Sequence, residues 1–105
     1  MTETTLKMRR ATEDEFLKLV TDYAHFQGWL VYHVPDSRRV TSAGFPDLVL
    51  ARKGQIIFAE LKTHDGRVSL AQQNWIRELD NEHSNNVSVF VWRPEDFADI
   101  EGILR

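Results

Sequence analysis

Residues 44–62, GFPDLVLARKGQIIFAELK, decide the fold of this chain. Two runs rich in apolar residues, 46–52 and 55–61, flank the dipeptide Lys53-Gly54, and this arrangement predicts a β-hairpin. The inner residues of both runs are apolar at every position. Strands of this kind are typical of the centre of a sheet that is covered on both faces.

The length of the turn determines which side chains of the hairpin face each other. With Lys53-Gly54 as a two-residue loop, Asp47 faces Glu60, and directly opposed residues have Cβ atoms about 4.5–5.5 Å apart. Lys62 follows Glu60 by two residues and therefore lies on the same face. A three-residue loop with a bulge would change this register, and Lys-Gly is not the most favourable two-residue turn.

Two opposed carboxylates beside a lysine suit phosphodiester hydrolysis. The carboxylates repel each other unless a cation lies between them, and Mg²⁺ takes oxygen ligands while it retains several waters. Such an ion polarises a phosphate oxygen and helps to generate hydroxide, and the lysine offsets the charge that develops on the phosphate. On spacing alone, a structural interpretation, in which neighbouring exposed charges balance, is favoured.

The segments around the hairpin predict the order α-β-β-β-α-β-α, an α/β sandwich around a small mixed sheet. Capping residues, periodicity or turn residues mark the remaining elements. Before the hairpin, these are a helix from the Thr12–Glu15 capping box to Gly28 and a strand over residues 29–34. After the hairpin, they are a helix capped by Ser69, a strand over Val87–Trp92 and a helix from Pro94 to about Leu104. We expect a loose polar arm over residues 1–11 and a single domain over residues 12–105.

The composition of the 105-residue chain, with 42% hydrophobic and 28% charged residues, is that of a soluble globular domain. The polar N-terminus and the lack of an apolar run of about 20 residues predict neither export nor a membrane span. The absence of cysteine excludes disulfides and cysteine nucleophiles and fits a reducing cytoplasm. The four histidines do not have the spacing of a pair of metal ligands. The sequence also lacks a glycine-rich nucleotide-binding motif, so nothing supports a small-molecule-binding domain.

The charge of the chain is unevenly distributed. Its formal net charge of −3 argues mildly against nucleic-acid binding, because nucleic-acid-binding proteins are usually basic. Residues 38–67, however, hold six basic and three acidic side chains, whereas residues 78–105 hold two basic and seven acidic ones. A cation on Asp47 and Glu60 would make the middle of the chain strongly positive. A chance scatter of solvated charges explains this distribution equally well.

Beyond the hairpin, an ordered set of motifs resembles the VRR-Nuc family of the PD-(D/E)xK nucleases. Residues 44–47 (GFPD) match the family's Gly-x-Pro-Asp motif, and residues 60–62 (ELK) match its Glu-x-Lys strand. Residues 66–72 (GRVSLAQ) match Gly-Arg-x-Ser-x-x-Gln, which makes the set much more specific than the first two motifs alone. The resemblance spans about residues 12–93 and implies a restriction-endonuclease-like core.

The resemblance also implies roles for individual residues. Asp47 and Glu60 would be ligands of Mg²⁺ or Mn²⁺, Lys62 would be the catalytic lysine, and Gln72 would face the site from the second helix. Gln72 has an alternative role as the capping-box partner of Ser69.

An acidic residue in the first helix of the family is matched by Glu13 or Glu15. Glu13 lies three residues before Phe16, on the side of the apolar stripe, whereas Glu15 has a capping role, so we predict Glu13 as a further metal ligand. The side chains predicted to contact DNA are Ser37, Arg38, Arg39 and Arg67. A solvated loop is an equally good interpretation of residues 37–39.

We therefore predict a metal-dependent endonuclease that hydrolyses DNA phosphodiester bonds, selective for Holliday-junction-like or other branched DNA, because small free-standing members of the family resemble phage or bacterial enzymes of this kind. A general or nicking endonuclease and a catalytically silent nucleic-acid-binding module are the alternatives. Since a junction needs two strands cut, we expect a homodimer in the cytoplasm of a bacterial or phage-infected cell, without membrane association. Five apolar residues of the last strand and the C-terminal helix exceed what one small core covers, so we expect some of them to form the interface: Val89, Trp92, Phe97, Ile100 and Leu104.

Overall fold

A computed structural model describes residues 10–35, 43–80 and 84–105, which form one mixed four-stranded sheet with helices on both faces. The strands, in their order across the sheet, are β1 (Leu30–His33), β2 (Leu48–Arg52), β3 (Gln55–Leu61) and β4 (Val87–Trp92). The first three are antiparallel neighbours, and β4 runs parallel to β3. Most of the predicted N-terminal arm, residues 1–9, lies outside the described residues.

The hairpin between β2 and β3 has the predicted two-residue turn. Lys53 and Gly54 have φ angles of 50° and 81°. Two consecutive positive φ angles are typical of a type I′ turn, whose twist matches that of the paired strands. Leu48 pairs with Ala59, which confirms the register that the two-residue loop predicts.

Regular pairing of β1 and β2 stops earlier than predicted. β1 is one residue shorter at each end, and β2 begins at Leu48 rather than at residue 46. Pro46 has no N–H group to donate to a strand ladder. Asp47 keeps one link to the neighbouring strand, because its carbonyl accepts a hydrogen bond of 2.8 Å from the N–H of Val34.

The first helix, α1 (Glu13–Phe26), begins and ends at the predicted signals. Thr12 and Glu15 form the capping box, and Gly28, with a φ of 87°, follows the last turn. The other helical elements are α2 (Leu70–Leu79), a 3-10 turn (Pro94–Asp96) and α3 (Phe97–Leu104). Within the described part of the chain, no helix has the length and apolar character needed to cross a membrane.

The hydrophobic core lies on the face of the sheet that α1 and α3 cover. Its buried members are Phe16, Val20, Ala24, Trp29, Leu48, Leu50, Ile57, Ala59, Leu61, Trp92, Ile100 and Leu104. Trp92, Ile100 and Leu104 are at most 3% exposed. These three residues are therefore not available to a dimer interface, because α3 folds back onto the sheet and places them inside one chain. Val89 and Phe97 are half-buried, and an interface through them stays a prediction.

The opposite face of the sheet is only partly covered. α2 packs on this face, but none of its residues is fully buried. Leu30 and Tyr32 of β1 share this face, because they pair with Ala51 and Val49, and they are 76% and 58% exposed. Complete cover of both faces was expected, and it is absent at the turn end, where Ile56 is 36% exposed.

Arg52 ties the turn end of the sheet to the C-terminus. Its guanidinium group donates hydrogen bonds to the carbonyls of Gln27, Leu104 and Arg105 at 2.8, 3.0 and 3.1 Å. The same group lies 4.3 Å from the centre of the Trp29 ring, a cation–π distance. Arg52 thus has a structural role, and its charge is used within the chain. The remaining basic side chains of residues 38–67 are the candidates for contact with a ligand.

Candidate active site

Asp47 and Glu60 meet at the end of the sheet that lies away from the turn. The pairing of Leu48 with Ala59, continued by one residue, brings the two carboxylates opposite each other. Asp47 Oδ2 also accepts a hydrogen bond of 2.8 Å from the N–H of Leu61, which holds its carboxylate across the two strands. The structure thus brings together the pair that the register argument placed face to face.

Glu60 is a buried carboxyl group, with 2% of its surface exposed. Burial is the main cause that raises the pKa of Glu60 to about 8, and the negative charge of Asp47 raises it further. The positive charge of Lys62 opposes this shift. One carboxyl oxygen, Oε2, is buried and has no hydrogen-bond partner among the described residues.

Lys62 and Gln72 both approach the other oxygen of Glu60, Oε1. Lys62 Nζ lies 3.7 Å from it, and Gln72 Nε2 donates to it at 3.0 Å. Gln72 Oε1 meanwhile accepts a hydrogen bond of 2.8 Å from the N–H of Ser69. Gln72 therefore fills both roles considered from the sequence, because the capping bond holds the amide in the orientation that points Nε2 at Glu60.

Gly44 allows the segment before Asp47 to approach α2 closely. Its φ is 90°, and a Cβ atom at this position would lie 2.5 Å from the carbonyl carbon of Ala71 and 2.7 Å from the nitrogen of Gln72. Only glycine accepts both constraints without strain. Gly44 belongs to the Gly-x-Pro-Asp motif, but its packing role was not predicted, although the glycine itself is the signal for such a close approach.

An aromatic cluster fixes the same segment against the sheet. Phe45 packs edge-to-face on Trp75 and on Phe58, with ring centroids 4.9 and 5.9 Å apart. Trp75 Nε1 also donates a hydrogen bond of 3.2 Å to the carbonyl of Ala43. These contacts hold the segment before β2 against the middle of α2 and against β3.

A cleft of about 470 Å³ opens beside Asp47 and Gln72. Its walls come from the end of β1, from residues 43–45 and from the start of α2. His33, which is exposed at the end of β1, lines this cleft. The carboxylate pair thus lies beside an open surface.

Of the two acidic candidates in α1, Glu13 is the one near the carboxylate pair. Its negative charge contributes to the raised pKa of Glu60, whereas hydrogen bonds with Thr12 lower the pKa of Glu15. Across residues 10–35, 43–80 and 84–105, no three His, Asp or Glu side chains form a group that could hold a metal ion. Glu13 as a third ligand therefore stays a prediction.

The predicted DNA-contact residues are only partly described. Arg67 is exposed in the segment between β3 and α2. Ser37, Arg38 and Arg39 lie outside the described residues. DNA contact by these four side chains stays a prediction.

The arrangement of motifs and carboxylates has a counterpart among known families. The family model of the VRR-NUC domain matches residues 9–94, most of the chain. This chain belongs to the VRR-NUC domain family. The family resemblance and the restriction-endonuclease-like α/β fold are both confirmed, and the chain is a nuclease-type domain. Neither the curated proteins nor the solved structures contain a significant match.

VRR-NUC and related nuclease domains generally use divalent metals, and the side chains at this site fit such an ion. Asp47 and Glu60 offer carboxylate oxygens, the ligands that hard divalent cations prefer. Gln72 and Lys62 both approach Oε1 of Glu60, so Oε2 stays available. Asp47 and Glu60 would hold the ion, which would offset their repulsion.

Proposed function

We propose that this VRR-NUC domain is an endonuclease that hydrolyses DNA phosphodiester bonds with Mg²⁺ or Mn²⁺. The observation that carries the proposal is the buried Glu60 opposite Asp47, with Oε2 lacking a hydrogen-bond partner among the described residues. Buried polar atoms without partners are rare and costly in structural roles. A carboxyl group kept in this state fits a ligand whose partner is a cation.

The side chains around the carboxylate pair have distinct parts in the proposed reaction. The bound ion would polarise a phosphate oxygen and lower the pKa of the attacking water. Lys62, next to Glu60, brings a positive charge to the position where negative charge develops on the phosphate. Gln72 holds Glu60 by a hydrogen bond, and the aromatic contacts of Phe45 hold the Asp47 segment against α2.

The proposed substrate is branched DNA, and the proposed assembly is a homodimer. The described residues of one chain form one opposed carboxylate pair, whereas resolution of a junction requires cuts in two strands. A two-fold axis would place two such sites symmetrically. The exposed apolar side chains of Leu30, Tyr32 and Ile56 support an interface on the partly covered sheet face.

A panel of DNA substrates tests the activity and its selectivity. Wild-type protein is incubated with a four-way junction, a flap, a fork, a duplex and a single strand, in Mg²⁺ and in excess chelator. We expect the junction to be cleaved fastest, and no cleavage in chelator or by Asp47→Asn. Equal cleavage in chelator refutes metal dependence, and DNA binding without cleavage in Mg²⁺ or Mn²⁺ supports a silent binding module instead.

Light scattering tests the homodimer. We expect twice the 12.2 kDa chain mass at micromolar concentration, and a monomer for Leu30→Asp, which places a charge on the exposed apolar face. A wild-type protein that stays monomeric with and without DNA contradicts this part of the proposal.

A further inference from the structure

Arg93 holds the segment between β3 and α2 by hydrogen bonds to its backbone. The Nη1 atom of Arg93 donates to the carbonyls of Thr63 and Gly66 at 2.8 and 2.7 Å. A longer contact of 3.4 Å reaches the carbonyl of His64. One guanidinium nitrogen thus contacts three backbone carbonyls of a turn that has no regular secondary structure.

This turn joins the two elements that carry the proposed catalytic side chains. Lys62 directly follows the last residue of β3 and precedes the turn, and Gln72 follows the turn in the first turn of α2. The residue before Arg93 also takes part, because the N–H of Lys62 donates to the carbonyl of Trp92 at 2.9 Å. The end of β4 therefore fixes both the backbone of Lys62 and the turn that follows.

The position of Arg93 is itself determined by its surroundings. Its N–H donates a hydrogen bond of 2.9 Å to Asp96 Oδ2, which anchors its backbone at the start of the 3-10 turn. A second link between the same two segments joins His64 Nδ1 to Glu95 Oε1 at 2.9 Å, on a more exposed side. Arg93 is partly buried in this junction, whereas His64 is exposed.

We infer that Arg93 is a positioning residue for the hydrolytic site and sets Lys62 and Gln72 relative to Glu60 without contacting DNA. This inference rests on the proposed nuclease function. Loss of the guanidinium would leave partly buried carbonyls without a donor and release the turn. A displacement of about 1 Å at a reacting group costs on the order of 10²-fold in rate, so a small shift of Lys62 would be measurable.

Arg52 provides a matched control. Its guanidinium also donates to three backbone carbonyls, and it is partly buried like Arg93. It lies at the turn end of the sheet, whereas Arg93 follows β4 at the carboxylate end. Arg52→Ala therefore removes a similar set of hydrogen bonds away from the proposed site.

The test compares Arg93→Ala and Arg52→Ala with wild type at a temperature at which all three proteins are folded. Single-turnover cleavage is measured with saturating junction DNA in Mg²⁺, and the DNA dissociation constant is measured in Ca²⁺. We expect Arg93→Ala to cleave about 10–10² times more slowly with an unchanged dissociation constant, and Arg52→Ala to cleave at the wild-type rate. Equal rates for the two variants overturn the inference. Weaker DNA binding by Arg93→Ala with a reduced salt dependence also overturns it, because Arg93 would then contact phosphate.

Hydrogen–deuterium exchange separates this inference from the proposed function. A wild-type protein that cleaves no DNA refutes the nuclease proposal, but amide exchange in residues 62–72 still reports on the turn. We expect at least tenfold faster exchange there in Arg93→Ala and no change in Arg52→Ala, and unchanged exchange in both overturns the positioning role. If Arg93→Ala does not fold, Arg93→Lys takes its place. We expect this variant to cleave DNA more slowly than the wild type and to exchange the amides of residues 62–72 faster. A wild-type cleavage rate together with wild-type amide exchange overturns the inference.

Discussion

Glu60→Gln replaces a buried carboxyl group by a neutral amide of nearly the same shape. In metal-free wild type, burial and the charge of Asp47 raise the pKa of Glu60 from 4.5 to about 8. Between these values the folded protein binds a proton that the unfolded chain has lost, so the stability of the wild type falls as the pH rises through this window. The amide does not titrate, and it can donate a hydrogen bond to Asp47.

The size of the effect follows from the shift. A pKa difference of about 3.5 units at 1.36 kcal/mol per unit corresponds to about 5 kcal/mol of free energy of unfolding. We expect similar stability of Glu60→Gln and wild type at pH 5, and a Glu60→Gln variant that is more stable by about 3–5 kcal/mol at pH 9. This is a large part of the roughly 5–15 kcal/mol that stabilises a typical domain.

Urea unfolding in excess chelator at several values between pH 5 and pH 9 measures this difference. Glu78→Gln, which removes an exposed carboxyl group of α2, is the control and should follow the wild type at every pH. In repeat measurements at pH 9, Mg²⁺ at 100 times its dissociation constant should stabilise the wild type by about 2.7 kcal/mol and Glu60→Gln by less. A constant difference between the two proteins from pH 5 to pH 9 would refute the reasoning, because Glu60 would then not be a carboxyl group destabilised by burial and by Asp47.

Three further predictions follow from the site and from the charge pattern. Lys62→Ala should cleave DNA about 10²–10³ times more slowly while Mg²⁺ still stabilises the fold, and single-turnover cleavage at the wild-type rate contradicts its catalytic role. Gly44→Ala should lose more stability in urea than Gly28→Ala, because both have a φ near 90° but only Gly44 has backbone atoms within 3 Å of an added Cβ; equal losses would show that φ alone matters. Replacement of Arg38 and Arg39 by Ala should lower the slope of log K against log salt by about 0.9 for each DNA phosphate that these arginines neutralise in the wild type, and an unchanged slope and affinity exclude this loop from the DNA surface.

Local sequence was sufficient to predict the elements themselves. The capping box of Thr12 and Glu15 and the turn at Lys53-Gly54 act over two to four residues, so their signals can be seen without the fold. The register of the hairpin then followed from the turn length, and with it the opposition of Asp47 and Glu60. Proline at position 46 was also visible, but its effect on the strand boundary was underestimated.

The sequence by itself therefore determined the hairpin, its register and the family, whereas contacts between distant segments decided the rest. Arg52 and Arg93 are equivalent as basic residues in the sequence, but the fold brings one to the C-terminus and the other to the turn after Lys62. From the sequence, Trp92 could equally be an interface residue, and only the fold shows that it is buried in the core. The raised pKa of Glu60 likewise depends on burial and on the charge of Asp47, which is distant in the sequence. Electrostatic energy depends on distance in space and on solvent exposure rather than on position in the chain.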